Sequence, residues 1–171
     1  MSKKYELVVD DTITFWGWKL FRIKALISFG SVDAGDLGGY IYTEDNLSQE
    51  GGAWVWGDAK VWGNAKVSGN AKVSGNAEVW GNAEVWGDAK VWGNAEVSDL
   101  EDVIVFKNHW SSGRHFTYTR SNKMWKVGCF YGTGQELIDK AYQDNDKSGN
   151  YYKAYVEFVE KLEALDELKR P

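Results

Sequence analysis

Proline is nearly missing from this chain: one residue in 171, at the last position, set against 19 glycines. Turns must therefore be made by Gly, Asn and Asp, and the sequence predicts positive φ at these residues in place of proline's fixed φ. A single cysteine, Cys129, excludes an internal disulfide and agrees with a reducing compartment. No apolar run approaches the roughly 20 residues of a membrane span, and the opening MSKKYELVVDD has no apolar signal core. These absences predict a cytoplasmic location and no membrane partner. Basic excess is missing as well. Lys and Arg total 20 against 25 Asp and Glu, a net charge of -5, so no DNA partner is expected. What is plentiful is apolar material, at 43% hydrophobic and 15% aromatic with ten tryptophans, enough for a core and an argument against disorder.

Valine recurs every sixth residue at Val55, Val61, Val67, Val73, Val79, Val85, Val91 and Val97, with Ala two places before each. The unit reads A-x-V-x-G-[ND]. Alternation places Ala and Val on one face of a short strand, and Gly-Asn or Gly-Asp supplies the bend. A helix is excluded, because a Gly every six residues would cost about 1 kcal/mol at every second turn. So short a unit buries nothing alone and must stack on its own copies. This pattern from Ala53 to Val97 resembles the hexapeptide-repeat family. That resemblance implies a left-handed parallel β-helix with three hexads per triangular coil, about 18 residues per turn. It also implies a homo-oligomer, a side-by-side homotrimer being favoured. The expected fold class is mainly β: a left-handed β-helix over residues 39–100, a small N-terminal β cap over 1–38, and a C-terminal α+β unit over 101–171.

The flanks fit this frame. Ile41 and Leu47 keep the six-residue step, and Val55 follows two residues late, as if Gly51-Gly52 were inserted at a corner. YELVVDDTITFWGW and KLFRIKALI read as short strands around Asp10-Asp11, taken as turn residues, and GDLGG as a tight turn leading into the first coil. VIVF, HFTYT and MWKVGCF read as strands, with a hairpin turn after Thr119. Cys129 is expected to be a buried small hydrophobe. Thr133 with Glu136 forms a capping box opening a helix that buries Leu137, Ile138, Ala141 and Tyr142. After a loop QDNDKSGN, a second helix carries Tyr155, Phe158, Val159, Leu162, Leu165 and Leu168 on one stripe.

Residues eighteen apart become neighbours on adjacent rungs, about 4.8 Å apart. The outward columns read Trp62-Trp80-Ser98, Trp56-Ser74-Trp92 and Ser68-Trp86. Lys60 faces Glu78 and Lys66 faces Glu84 as opposite charges, while Lys72 lies beside Lys90, with Trp54 as its cation–π partner. Columns of exposed indoles mark an interface, so Trp56, Trp62, Trp80, Trp86 and Trp92 are the candidate binding residues. One Trp face would serve subunit contact and another a partner or a flat ligand that stacks.

A catalytic set is harder to find. Neither of the two histidines lies in the repeats. His115 follows Ser111, Ser112 and Arg114 in WSSGRH, a loop able to hold an anion. Two histidines and one cysteine match no metal-ligand spacing, and no metal is expected. The segments GDLGGYI, NLSQEGGAWV, WSSGRHFTYT and GCFYGTGQELI, together with the hexads, resemble uncharacterised hexapeptide-repeat proteins of bacteriophages and prophages, which are grouped with transferases by fold alone. The resemblance implies a noncatalytic, phage-encoded protein that captures a host protein or a small signalling nucleotide, with no cofactor, in a host-takeover or anti-defence role. Two alternatives remain: an acyl-CoA-dependent acyltransferase with His115, then His109, as general base, and a structural virion or assembly component.

Overall fold

The computed structural model describes residues 2–168, and its centre is a β-solenoid of about three turns. Eight two-residue strands build it: β4 (Trp54–Val55), β5 (Lys60–Val61), β6 (Lys66–Val67), β7 (Lys72–Val73), β8 (Glu78–Val79), β9 (Glu84–Val85), β10 (Lys90–Val91) and β11 (Glu96–Val97), preceded by β3 (Leu37–Ile41). They pair in parallel as three ladders, β3-β5-β8-β11, β4-β7-β10 and β6-β9. Val61 sits over Val79 and Val79 over Val97, the eighteen-residue register expected from the spacing. The Ala and Val columns are fully buried with Ile41 and Leu47 in one continuous core. In the first coil Ile41 pairs with Val61 and Leu47 with Val67, but Val55 pairs with Val73. The offset drops by two after Gly51-Gly52, so those residues are the corner insertion.

The corners correct one expectation. Every repeat glycine from Gly57 to Gly93 takes positive φ, whereas the Asn or Asp after it does not. At Gly69, with φ 68°, a Cβ would also stand 2.8 Å from the Gly87 nitrogen one coil below, so the site excludes a side chain both by torsion and by space. The Asn and Asp residues instead line up along the corner, Asn64 donating to Asn82 Oδ1 and Asn70 to Asp88 Oδ1, both at 3.4 Å.

At the N-terminus, β1 (Tyr5–Phe15) and β2 (Trp18–Ala25) form one long hairpin that adds to β3. Asp10-Asp11 is a bulge within β1, where the register shifts between Val8 and Thr12, and not a turn. The turn lies at Trp16-Gly17, both at positive φ (51° and 82°), as a two-residue hairpin requires. At Gly39 a Cβ would lie 2.5 Å from the Ala59 carbonyl oxygen, so the backbone of β3 can lie against the next coil only without a side chain.

The C-terminal unit is a sheet in the order β12 (Val103–Lys107), β13 (His115–Thr119), β14 (Met124–Val127), β15 (Phe130–Thr133), covered by helices α1 (Gly134–Asp144) and α2 (Asp146–Glu167). The Thr133–Glu136 capping box is present, and α1 buries Leu137 and Ala141, while Ile138 is half-buried and Tyr142 exposed, against the expected burial of all four. Three more expectations fail here. The loop QDNDKSGN is a one-residue break, because Asn145 caps α2 by accepting from the Ser148 N–H. The buried stripe of α2 is Gly149, Tyr152, Val156 and Val159, while Phe158, Leu165 and Leu168 are exposed. Gly149 selects that side, since Tyr142 of α1 lies so close that any Cβ there would collide with its ring. Cys129 is exposed, because MWKVGCF is two strands joined at Gly128 (φ 55°), which leaves the thiol on the turn.

The ladders are parallel, so each coil both donates to and accepts from the next: Trp62 N–H donates to Val79 O, and within the paired strands N–H groups of the later coil donate back. Each end rung therefore has both N–H and C=O groups on its outer side, and the flanks supply side-chain partners for some of them. Lys4 Nζ donates to Ala53 O at 2.8 Å and Gly51 O at 3.3 Å, and Tyr5 Oη donates to Leu47 O at 2.6 Å. At the far end Thr117 Oγ1 accepts from Lys90 N, Ser121 Oγ from Glu96 N, and Asp102 Oδ2 from Ser98 N. Burial pushes the Lys4 amine down to about 8 and the Tyr5 hydroxyl up.

Candidate binding cleft

The three indole columns meet different fates. In the first, Trp62 and Trp80 stack with ring centroids 6.1 Å apart and planes within 11°, as their register predicts. Trp62 is only 6% exposed, however, which corrects its assignment to the open surface. The hairpin folds back over it, placing Phe15 edge-on at 5.3 Å and making a small core with Leu20 and Tyr40. Trp80, one rung further on, remains 38% exposed.

In the second column Trp56 is half-buried and Trp92 is 37% exposed. The cation over Trp56 is Lys72, 5.7 Å from the ring centre, so the expected pairing of Lys72 with Trp54 does not form. Trp54 is buried beneath Tyr5 and Phe29. Trp92 is met by the C-terminal unit: Lys126 Nζ lies 4.2 Å from its centroid, and Tyr131 Oη donates to its carbonyl. Burial and the neighbouring Lys90 push the Lys126 amine down. In the third column Trp86 stands alone at 65% exposure. Lys66 and Glu84 are in register there, as are Lys60 and Glu78, yet neither pair is among the ion pairs of the described residues.

The first column opens into a cleft of ≈690 Å³ walled by Trp16, Trp18, Trp62 and Trp80, with Glu78 and Glu96 on its polar side. Trp16 and Trp18 were not among the expected binding residues. Sequence reasoning divided the hairpin at Asp10-Asp11, although the W-G-W between two alternating segments was a usable turn signal. Trp16 is 80% exposed and holds φ 51°, a conformation that Asn or Gly adopts easily and that costs an indole-bearing residue about 1 kcal/mol or more. Trp18 is fixed edge-on to Tyr42 at 4.8 Å. Glu96 extends the Lys60-Glu78 column by one further eighteen-residue step and lies opposite Glu78. Burial and then Glu96 push the Glu78 carboxyl up, with Lys60 opposing.

A larger hollow of ≈910 Å³ lies near the end of the solenoid, lined by Glu101, Arg120, Glu163 and Asp166 among others. Its charges are spent on one another. Arg120 bridges Glu101 and Asp166 at 3.2 Å each, and Tyr118 donates to Glu163. The Trp cleft, whose carboxylates lack such partners among the described residues, is the better candidate.

The remaining expected residues lie in and beside the WSSGRH loop. Asn108 organises the WSSGRH loop: its Oδ1 accepts from Ser111 N and Oγ, and its Nδ2 donates to Tyr152. Ser112 Oγ accepts from Arg114 N, and Arg114 and Ser112 are exposed. His115 Nδ1 lies 3.0 Å from Asp88 Oδ2, tying this unit to the solenoid. His109 packs edge-on against Trp110 and Tyr151. Among the described residues no group of three or more His, Cys, Asp or Glu is placed to hold a metal ion, and no helix is long and apolar enough to cross a membrane. A scan against protein-family models finds no match, and a search of curated proteins finds none either.

Proposed function

We propose that the chain is a noncatalytic binding protein whose solenoid is a rigid mount for an aromatic capture site. The observation that carries this reading is the cleft at Trp16, Trp18, Trp62 and Trp80, where the chain keeps an indole exposed at a strained hairpin tip. Exposed, clustered Trp is the composition of interface centres, and a cleft of this size suits a side chain or small ligand. The resemblance of the hexads supports assignment to the left-handed hexapeptide-repeat β-helices and a homotrimer. The phage resemblance supports a host protein as the captured partner. A nucleotide is disfavoured by the two carboxylates beside the indoles, which would repel phosphate.

Native mass spectrometry of protein purified gently from host lysate tests this. An oligomer carrying bound mass is expected, and Trp80→Ala should release that mass with the fold unchanged. Trp80 is the informative position, since truncating the buried Trp62 would unfold the small core beneath the hairpin. Bound mass retained by Trp80→Ala, or an empty oligomer, overturns the assignment.

A second reading, acyl transfer from acyl-CoA, has one observation in its favour. Donation of the His115 Nδ1 proton to Asp88 would orient the ring and leave the Nε2 lone pair available as a general base. Absence of any heat on titration with CoA esters, or full activity of His115→Ala, removes it.

A further inference from the structure

Among the described residues, the acidic pair beside Trp80 has no counter-charge within the cleft. Glu78 and Glu96 lie opposite one another on adjacent rungs, an arrangement in which like charges repel. Lys60, on the rung before, is drawn aside: its ammonium sits 4.9 Å from the centre of the Phe15 ring and donates to Asp58 O. Among the described residues no lysine or arginine lines the cleft. Its other surfaces are indole faces and the amides of Asn64 and Asn82.

Two carboxylates beside parallel indoles recognise a flat, delocalised cation. A guanidinium satisfies both halves at once, because it stacks on an aromatic face and its fork of N–H donors matches carboxylate oxygens. A point-charge ammonium meets only the second half well. The apolar wall also includes the exposed Trp16 and Trp18, so flanking residues of a chain have surface to cover.

We infer that the cleft receives an arginine side chain on an exposed segment of a partner protein, its guanidinium over Trp80 and paired with Glu78 and Glu96, with neighbouring residues of the segment against Trp16 and Trp18. This rests on the binding-protein reading and specifies the partner's chemistry.

The test uses the full chain with its tryptophan indole nitrogens isotopically labelled, so that each indole N–H reports separately by NMR. The probes are the peptide acetyl-Gly-Leu-Arg-Leu-Gly-amide and the same peptide with neutral citrulline replacing arginine. At roughly millimolar peptide the arginine probe should shift the Trp16, Trp18 and Trp80 signals and leave Trp86 unmoved, and the citrulline probe should bind about tenfold more weakly. The double variant Glu78→Gln/Glu96→Gln should erase that preference while its other indole signals stay in place, which shows that it is folded. Equal binding of the two peptides overturns the inference, as does no arginine-dependent shift, or a shift of the same indoles by adenosine monophosphate. A sedimentation mass that falls on Trp80→Ala would place a second copy of this chain in the cleft and also overturn it. In the lysate experiment, capture lost with Trp80→Ala but kept by the double glutamine variant leaves the binding reading standing and removes arginine. Capture kept by Trp80→Ala removes the binding reading itself.

Discussion

The two ends of the solenoid are closed with different chemistry. At the first coil side-chain donors reach carbonyls: the Lys4 ammonium, just before β1, and the hydroxyl of Tyr5, its first residue. At the last coil side-chain acceptors reach N–H groups: the Thr117 and Ser121 hydroxyls and the Asp102 carboxylate, all from the C-terminal unit. A repeat with identical units cannot supply either set, because each unit's groups are already committed to its neighbours. The non-repeating flanks therefore carry the closing side chains, donors before the ladder and acceptors after it.

Breaking the donor end should have the largest effect. Lys4→Met leaves the buried Ala53 carbonyl without a charged partner and should cost about 2–3 kcal/mol in urea denaturation. At the acceptor end Thr117→Val keeps the shape but orphans the Lys90 N–H, for about 1–2 kcal/mol. Ser121→Ala touches a bond that water can replace at an exposed site, so a loss of about 0.5 kcal/mol or less is expected. An equal cost at Lys4 and Ser121 would show that burial does not distinguish the ends. A pH slope tests the same donor end. Lys4 releases its proton near pH 8 when folded but near 10.5 in its ordinary state, so the unfolded chain binds more protons between those values. Stability gained from this group is therefore complete above 10.5 and lost as pH falls through about 8. The rise should be measurable between about pH 8 and 9, below the ordinary tyrosine value of 10, where ionisation in the unfolded chain against the raised hydroxyls of Tyr5, Tyr118, Tyr131 and Tyr152 opposes it, and Lys4→Met should flatten it.

The solenoid was legible because its information is local and repeated. Each Val every sixth residue fixes which face is buried, and one slip at Gly51-Gly52 stands out against seven regular steps. Where a second, equally apolar choice existed, sequence could not decide. Helix α2 carries two such stripes, and the contact of Gly149 with Tyr142 selects between them, an event set by the packing of another helix. The candidate cleft was half readable. Trp80 followed from spacing, and Glu96 lay one more eighteen-residue step beyond Lys60 and Glu78. That Trp62 would be roofed by Phe15 while Trp16 projected into water depends on where the hairpin turns and how it folds back, and no periodicity encodes either.

The closed ends have a consequence for length. The outer edges of the first and last rungs of a parallel stack are complementary to each other, so bare copies placed head to tail would continue each other's hydrogen bonding without closure, as an open fibre does. Lys4, Tyr5, Thr117, Ser121 and Asp102 fill those positions, and in doing so they act as chain terminators, holding a sequence built for indefinite propagation to three coils.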